Sequence, residues 1–194
     1  MPFALIVHYV HSDDPKTGGV LEAAKLLSQE LNEQGVVSEL YFDGKLAPNQ
    51  TLSIVHGLWQ WPGTWANKQF QCKGIPYLLF PHGMLDRWFR HKYPLKHIKK
   101  QAYWWLRQGK ILRQAHAVCF TTEEERRLAR KTFWPYHCLE KLTGLGIRTP
   151  PAPSAEKGFL NKANNLLDRN WTIQGIVKKG RQVGKKIGFP TCNI

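Results

Sequence analysis

Apolar residues along this chain gather into short runs separated by glycine turns and amphipathic stretches. Phe3 to Val10 is an apolar run of buried-strand length. After Gly18-Gly19, the positions Val20, Ala23, Ala24, Leu27 and Leu31 recur at steps of three and four, a helix face that Gly35 stops. Val36 to Phe42 returns to strand character. Strand, glycine turn, helix, strand is a βαβ unit, which predicts a parallel sheet. The pattern repeats. Strands are predicted at Leu52 to Val55, Tyr77 to Phe80, Ala117 to Phe120 and near Cys138 to Leu142. Helices are predicted around Trp65 to Cys72 and over Leu95 to Leu112, with Leu95, Ile98, Ala102, Trp105 and Leu106 on one side. A further helix should run from Thr122 to about Thr132, opened by a capping box of Thr122 and Glu125. The expected fold is α/β, a Rossmann-like doubly wound parallel sheet.

The pattern changes at Thr149-Pro150-Pro151-Ala152-Pro153-Ser154, a stiff connector that cannot continue a helix or a central strand. Three parts are therefore predicted: a domain over 1–148, a proline-rich linker over 149–155 and a distinct segment over 156–194. In the last, Phe159 to Asp168 reads as helix and Trp171 to Lys178 as strand.

The chain has 194 residues, 42% hydrophobic and 22% charged, enough to bury a core. Lys and Arg number 28 against 14 Asp and Glu, a formal charge of +14 that favours anionic partners. No run of about 18 apolar residues predicts a spanning helix. The opening MPFALIVHYV lacks the basic flank of a secretory signal. Cys72, Cys119, Cys138 and Cys192 are far apart and form no CxxC, so a disulfide scaffold is not expected and a reducing, cytoplasmic compartment fits.

Three constellations could carry chemistry. The first is a set of strand-end loops, Gly18-Gly19, His56-Gly57 and His82-Gly83. In a doubly wound sheet the carboxyl ends of the strands form the ligand crevice. Glycines let backbone approach a ligand, and helix-start amides attract phosphate. A neutral histidine there can accept a hydroxyl proton or hydrogen-bond a sugar. The competing reading is ordinary turns with satisfied histidines. His8, His11, His91, His97, His116 and His137 show no metal spacing and read as structural or surface residues.

The runs His56-Gly57-Leu58-Trp59-Gln60-Trp61-Pro62 and Pro81-His82-Gly83-Met84-Leu85-Asp86, with Gly74-Ile75-Pro76-Tyr77, resemble the acceptor-side N-terminal domain of GT-B glycosyltransferases of family four. The Gly18-Gly19 pair, Tyr103-Trp104 and the segment Phe120 to Glu125 are similar to that family as well. The resemblance implies sugar transfer from a nucleotide-sugar to a glycan or lipid-linked acceptor, with no tightly bound cofactor. It implies that Gly18 and Gly19 face the donor phosphates, that His82 sits by the reacting sugar as the catalytic residue, and that His56 and Gly57 line the acceptor side. Where that family has an Asn-Gly turn before its second domain, this chain has Gly144-Leu145-Gly146-Ile147. The residues after Arg148 are too few for a second Rossmann-like domain, so the transferase part is expected to be incomplete and inactive alone.

The second constellation is a glycine-rich basic run, Gly180, Gly184 and Gly188 with Arg181, Lys185 and Lys186, suited to holding phosphates but without Walker A spacing. A basic turn between strands is the alternative. Leu166 to Gly175 followed by Gly188-Phe189-Pro190-Thr191-Cys192-Asn193 resembles the opening of bacterial riboflavin kinase. That resemblance implies a piece of the kinase β-barrel, with ATP and Mg2+ as cofactors and riboflavin as substrate. Thr191 and Asn193 would bind the metal and the phosphates under the glycine loop. The piece is expected to be truncated, since the barrel's remaining strands and its glutamate base would lie past Ile194.

The third is the basic aromatic stretch from Arg87 to Arg113. Arg87, Arg90, Lys92, Lys96, Lys99 and Lys100 are interleaved with Trp88, Phe89, Tyr93, Tyr103, Trp104 and Trp105. Such a segment can lie on an anionic membrane, here the inner face, or bind RNA by charge and stacking. It can also be a solvated helix face whose aromatics pack on the sheet.

Overall fold

A computed structural model of the chain describes residues 5–14 and 18–144. Six strands form one sheet: β1 (Leu5–Tyr9), β2 (Ser38–Tyr41), β3 (Gln50–His56), β4 (Tyr77–Phe80), β5 (Ala117–Phe120) and β6 (Glu140–Leu142). Their order is β2-β1-β3-β4-β5-β6 and every pairing is parallel. The Rossmann-like α/β frame follows from the βαβ rhythm, because each parallel pair needs a crossover helix.

Helix α1 (Gly19–Glu33) starts at Gly18, whose φ of +66° suits glycine. It ends in a Schellman turn. Val36 N–H donates to the Leu31 carbonyl and Gly35 N–H to that of Asn32, both at 2.9 Å, with Gly35 at φ +79°. Helix α2 (Trp61–Lys73) takes Pro62 in its first turn and stops at Gly74, also left-handed. Alternate strand residues feed two cores. Val7, Tyr9, Val55, Leu79, Val118 and Phe120 pack on the α2 side, with Ala66 and Trp104. Ile6, Leu52, Ile54, Phe80 and Cys119 pack on the α1 side, with Leu27 and Leu31. Burial on both faces explains why β1, β3 and β5 read as continuous apolar runs rather than alternating ones.

The helix predicted over Leu95 to Leu112 is three pieces. After the short α3 (Trp88–Lys92) come α4 (Pro94–Tyr103), a π-helical turn (Trp104–Gln108) and α5 (Gly109–Gln114). A Cβ on Gly109 would lie 2.9 Å from the Trp104 carbonyl oxygen, so glycine is what lets the wide turn close. The wide turn also changes the inward face. Trp104, Gln108, Ile111 and Leu112 are buried, whereas the predicted apolar side points outward: Leu95 is 76%, Ile98 64%, Trp105 61% and Leu106 84% exposed. Helix α6 (Glu123–Ala129) is capped as expected, the Thr122 hydroxyl accepting from Glu125 N–H at 3.1 Å. Cys119 and Cys138 are free thiols, as the cysteine spacing predicts. Cys192 lies outside the described residues. Among the described residues no helix is long and apolar enough to cross a membrane.

Candidate active site at the strand ends

Strands β1 and β3 are neighbours, and the chain leaves them towards opposite edges of the sheet, to β2 and to β4. In open parallel sheets, such a reversal marks where a ligand crevice lies at the carboxyl ends of the strands. The three glycine loops singled out in the sequence all fall along this edge of the sheet: Gly18-Gly19 after β1, Gly57 after β3 and His82-Gly83 after β4.

A row of three histidines crosses the edge. His8 Nδ1 lies 2.9 Å from His56 Nε2, and His56 Nδ1 lies 3.0 Å from His82 Nε2. Ring planes differ by only 18° and 19°, and both centroid spacings are 5.2 Å. Nitrogens this close between centroids this far apart place the rings edge to edge, so each hydrogen bond lies near the ring plane. His8 is 0% and His56 2% exposed, while His82 is partly open. Burial lowers the His8 pKa to about 3. Burial, then the neighbouring His8 and His82, holds His56 well below its usual value. Burial also lowers His82, against an opposing pull from the Glu125 carboxylate. All three rings are therefore neutral at pH 7.

The His82 loop is held from two sides. His82 itself sits at φ +49°, a conformation few non-glycine residues adopt, and Gly83 follows at +73°. Glu125 braces it: Oε1 accepts from Gly83 N–H at 2.8 Å, and Oε2 accepts from the Thr121 N–H at 2.9 Å and hydroxyl at 2.8 Å. Met84 packs back on the β3 loop, its Sδ accepting from Leu58 N–H at 3.1 Å. Its methyl stands 3.1 Å from where a Gly57 Cβ would be, so Gly57 is required both by its φ of +87° and by this approach.

Gly18 and Gly19 open α1, and none of the described residues comes within 4 Å of a Cβ built on either. First-turn amides have no partner within their helix, so this loop offers open backbone donors beside the crevice. His56 is 2% exposed, and both of its ring nitrogens face other histidines.

Two residues of this network were not singled out as a pair with the loops. His8 reads as a structural histidine, and it is fully buried at the inner end of the row. Glu125 read as helix-start support, which it is, but its reach to Gly83 joins loops 42 residues apart and leaves no local sequence trace. Among the described residues no group of His, Cys, Asp and Glu could hold a metal ion. Gly180, Gly184, Gly188, Thr191 and Asn193 lie outside the described residues.

The basic stretch forms a second feature on the flank of the sheet. Arg87, Arg90, Lys92, Lys96 and Lys99 are exposed, and Lys100 lies 4.8 Å over the Trp59 ring. Lys92 sits 4.6 Å over Trp88 and Lys96 4.8 Å over Tyr93. Beside them an open groove of about 1390 Å³ runs between α4 and the segment after α6, lined by His97, Gln101, Trp105, Lys131 and Trp134 among others. None of the three ladder histidines lines it.

Residues 40–137 match the family described as glycosyl transferase 4-like domain, and residues 167–194 match riboflavin kinase. No curated protein and no solved structure matches the chain.

Proposed function

Because the chain belongs to the glycosyl transferase 4-like domain family, we propose that its described part is the acceptor-side wall of a GT-B sugar-transfer cleft. The substrate is a nucleotide-sugar. Its phosphates meet the Gly18-Gly19 amides and a sugar hydroxyl meets His82. One observation carries this reading: the loops after β1, β3 and β4 converge at the switch point of the sheet, with a neutral, partly open imidazole among them. The chain's histidines bind and orient; the bond broken is the one between the sugar and its diphosphate. A panel of nucleotide-sugars titrated into the full chain tests the reading. Saturable binding to at least one, weakened about tenfold in His82→Ala, is the expected result. No binding to any would refute it.

The acceptor is proposed to be presented at an anionic membrane surface, with the protein cytoplasmic and peripheral on the inner face. Supporting this are the outward Leu95, Ile98, Trp105 and Leu106, on a segment that also carries the exposed Arg90, Lys92, Lys96 and Lys99. Exposed apolar side chains beside cations suit a headgroup layer. Each Lys or Arg near such a surface contributes about 1 kcal/mol, so replacing Lys96 and Lys99 by Ser should weaken binding about 30-fold. Vesicles of phosphatidylglycerol and phosphatidylcholine, against phosphatidylcholine alone, measure it. Equal binding to both, or binding only to RNA, would refute it.

A second reading rests on the match of residues 167–194 to riboflavin kinase. It assigns ATP and Mg2+ to Thr191 and Asn193 under Gly180, Gly184 and Gly188. FMN formation from ATP and riboflavin, lost in Thr191→Ala, tests it.

A further inference from the structure

A neutral imidazole carries one N–H and one lone pair. Three such rings joined by two hydrogen bonds have two consistent proton arrangements. In one, every Nδ1 is protonated: His8 Nδ1–H donates to His56 Nε2, His56 Nδ1–H donates to His82 Nε2, and His82 ends the row with an outward Nδ1–H. In the other, every Nε2 is protonated, donation runs inward, and His82 ends with a bare Nδ1. Any mixture sets two N–H groups or two lone pairs against each other.

The inner end of the row decides between them. There, His8 Nε2 is buried with no hydrogen-bond partner among the described residues. The second arrangement would strand an N–H there, and orphaned buried N–H groups are rarer than under-satisfied acceptors. The first arrangement strands only a lone pair. The sealed inner end therefore selects the first arrangement, with Nδ1 protonated on all three rings.

We propose that His8 is a positioning residue which, through His56, fixes His82 as an Nδ1–H donor towards the crevice. The ligand atom this site takes is an oxygen lone pair, from a sugar hydroxyl or a phosphate. It rests on the strand-end reading above for the identity of the crevice, but the proton arrangement stands without any ligand. It also narrows the role of His82. The ring's Nε2 lone pair already accepts from His56, and Nδ1 carries a proton, so no lone pair is left to take a hydroxyl proton. Acting as a base would require moving three protons inward and leaving one on His8 Nε2. His82 binds; it does not deprotonate.

The test is the tautomer of each ring, read from nitrogen-15 shifts in the full chain labelled at histidine, with assignments from single substitutions. At pH 7 we expect Nδ1 protonated and Nε2 bare in His8, His56 and His82, the reverse of free imidazole side chains. A bare Nδ1 on His82 would overturn the proposal. His8→Asp replaces the Nδ1–H donor by an acceptor, so His56 must carry its proton on Nε2 and His82 should switch to the Nε2–H form. His8→Phe offers His56 Nε2 neither donor nor acceptor, so that buried nitrogen stays bare and His82 should keep its Nδ1–H. An unchanged His82 tautomer in folded His8→Asp, or a switch in folded His8→Phe, would overturn the role of His8. Inorganic phosphate and a methyl glycoside, added separately, distinguish the oxygen sources. The Nδ1–H signal should move with one of them and stay protonated. Movement with neither, or loss of the Nδ1 proton on binding, overturns the assigned ligand class. Failure of every nucleotide-sugar to bind would sink the transfer reading yet leave the tautomer result standing.

Discussion

Burying neutral histidines makes the protein sensitive to mild acid, and His8 sets a magnitude. Its pKa falls from an unfolded value near 6.5 to about 3 on folding. Between those values the unfolded ring binds a proton and the folded ring does not. Stability therefore rises with pH in this window and is lost as pH falls from about 6.5 towards 3. From pH 7 to pH 5 the unfolded ring becomes almost fully charged while the folded one stays neutral. Integrating at about 1.4 kcal/mol per pH unit gives about 2 kcal/mol lost through His8 alone. His56, shifted the same way, adds to the loss. Urea unfolding at pH 7, 6 and 5 measures it. With a slope of about 2 kcal/mol per molar, the His8 share is a fall of about 1 M in midpoint. His8→Asn cannot titrate, so its own midpoint should fall by about 1 M less over the same range, whatever its stability at pH 7. The carboxylates held low by ion pairs, Glu124 and Asp43, lose their contribution at lower pH and do not confuse the comparison. A wild-type midpoint that is flat from pH 7 to pH 5, or an equal fall in both proteins, would refute the reasoning.

Glu125→Ala removes the acceptor of three hydrogen bonds and should cost about 2 kcal/mol, since charged acceptors contribute most but this one is partly exposed; chemical denaturation checks it, and nucleotide-sugar affinity should fall as the His82 loop loosens. Gly109→Ala drives a Cβ to 2.9 Å from the Trp104 carbonyl and should destabilise by about 1–3 kcal/mol, read as a lower melting temperature. Leu106→Glu sits on an 84% exposed side chain and should change stability by less than about 0.5 kcal/mol, yet weaken vesicle binding in a sedimentation assay.

Where the sequence was legible, one local rule dominated. The strands Tyr77–Phe80 and Ala117–Phe120 appear at the predicted residues because apolar runs between glycine or proline turns have no other way to bury both faces. Gly35, Gly74 and the Thr122–Glu125 cap likewise act within a few residues of themselves. The long helix misled because two apolar faces compete in it. Leu95, Ile98 and Trp105 keep helical spacing, but so do Trp104, Gln108 and Ile111. Tertiary packing chose the second set: Trp104 donates from Nε1 to the Pro135 carbonyl at 2.8 Å and lies parallel to Phe133 at 5.0 Å. The strand-end loops were readable as a set, since glycines and histidines follow each strand. Their linkage was not. The 2.9 Å contact of His8 with His56 depends on the register of β1 against β3, which pairs His8 with Ile54 and so sets His56, two residues on, on the same face of the sheet. Spacing along the chain carries no record of that register.

The most direct measurement is a titration of nucleotide-sugars into the full nitrogen-15-labelled chain, followed at the backbone amides of Gly18, Gly19 and Gly83 and at the His82 ring. The account predicts that at least one nucleotide-sugar shifts these four signals together and saturably. Shifts confined to other parts of the chain, or none with any sugar donor, would contradict it.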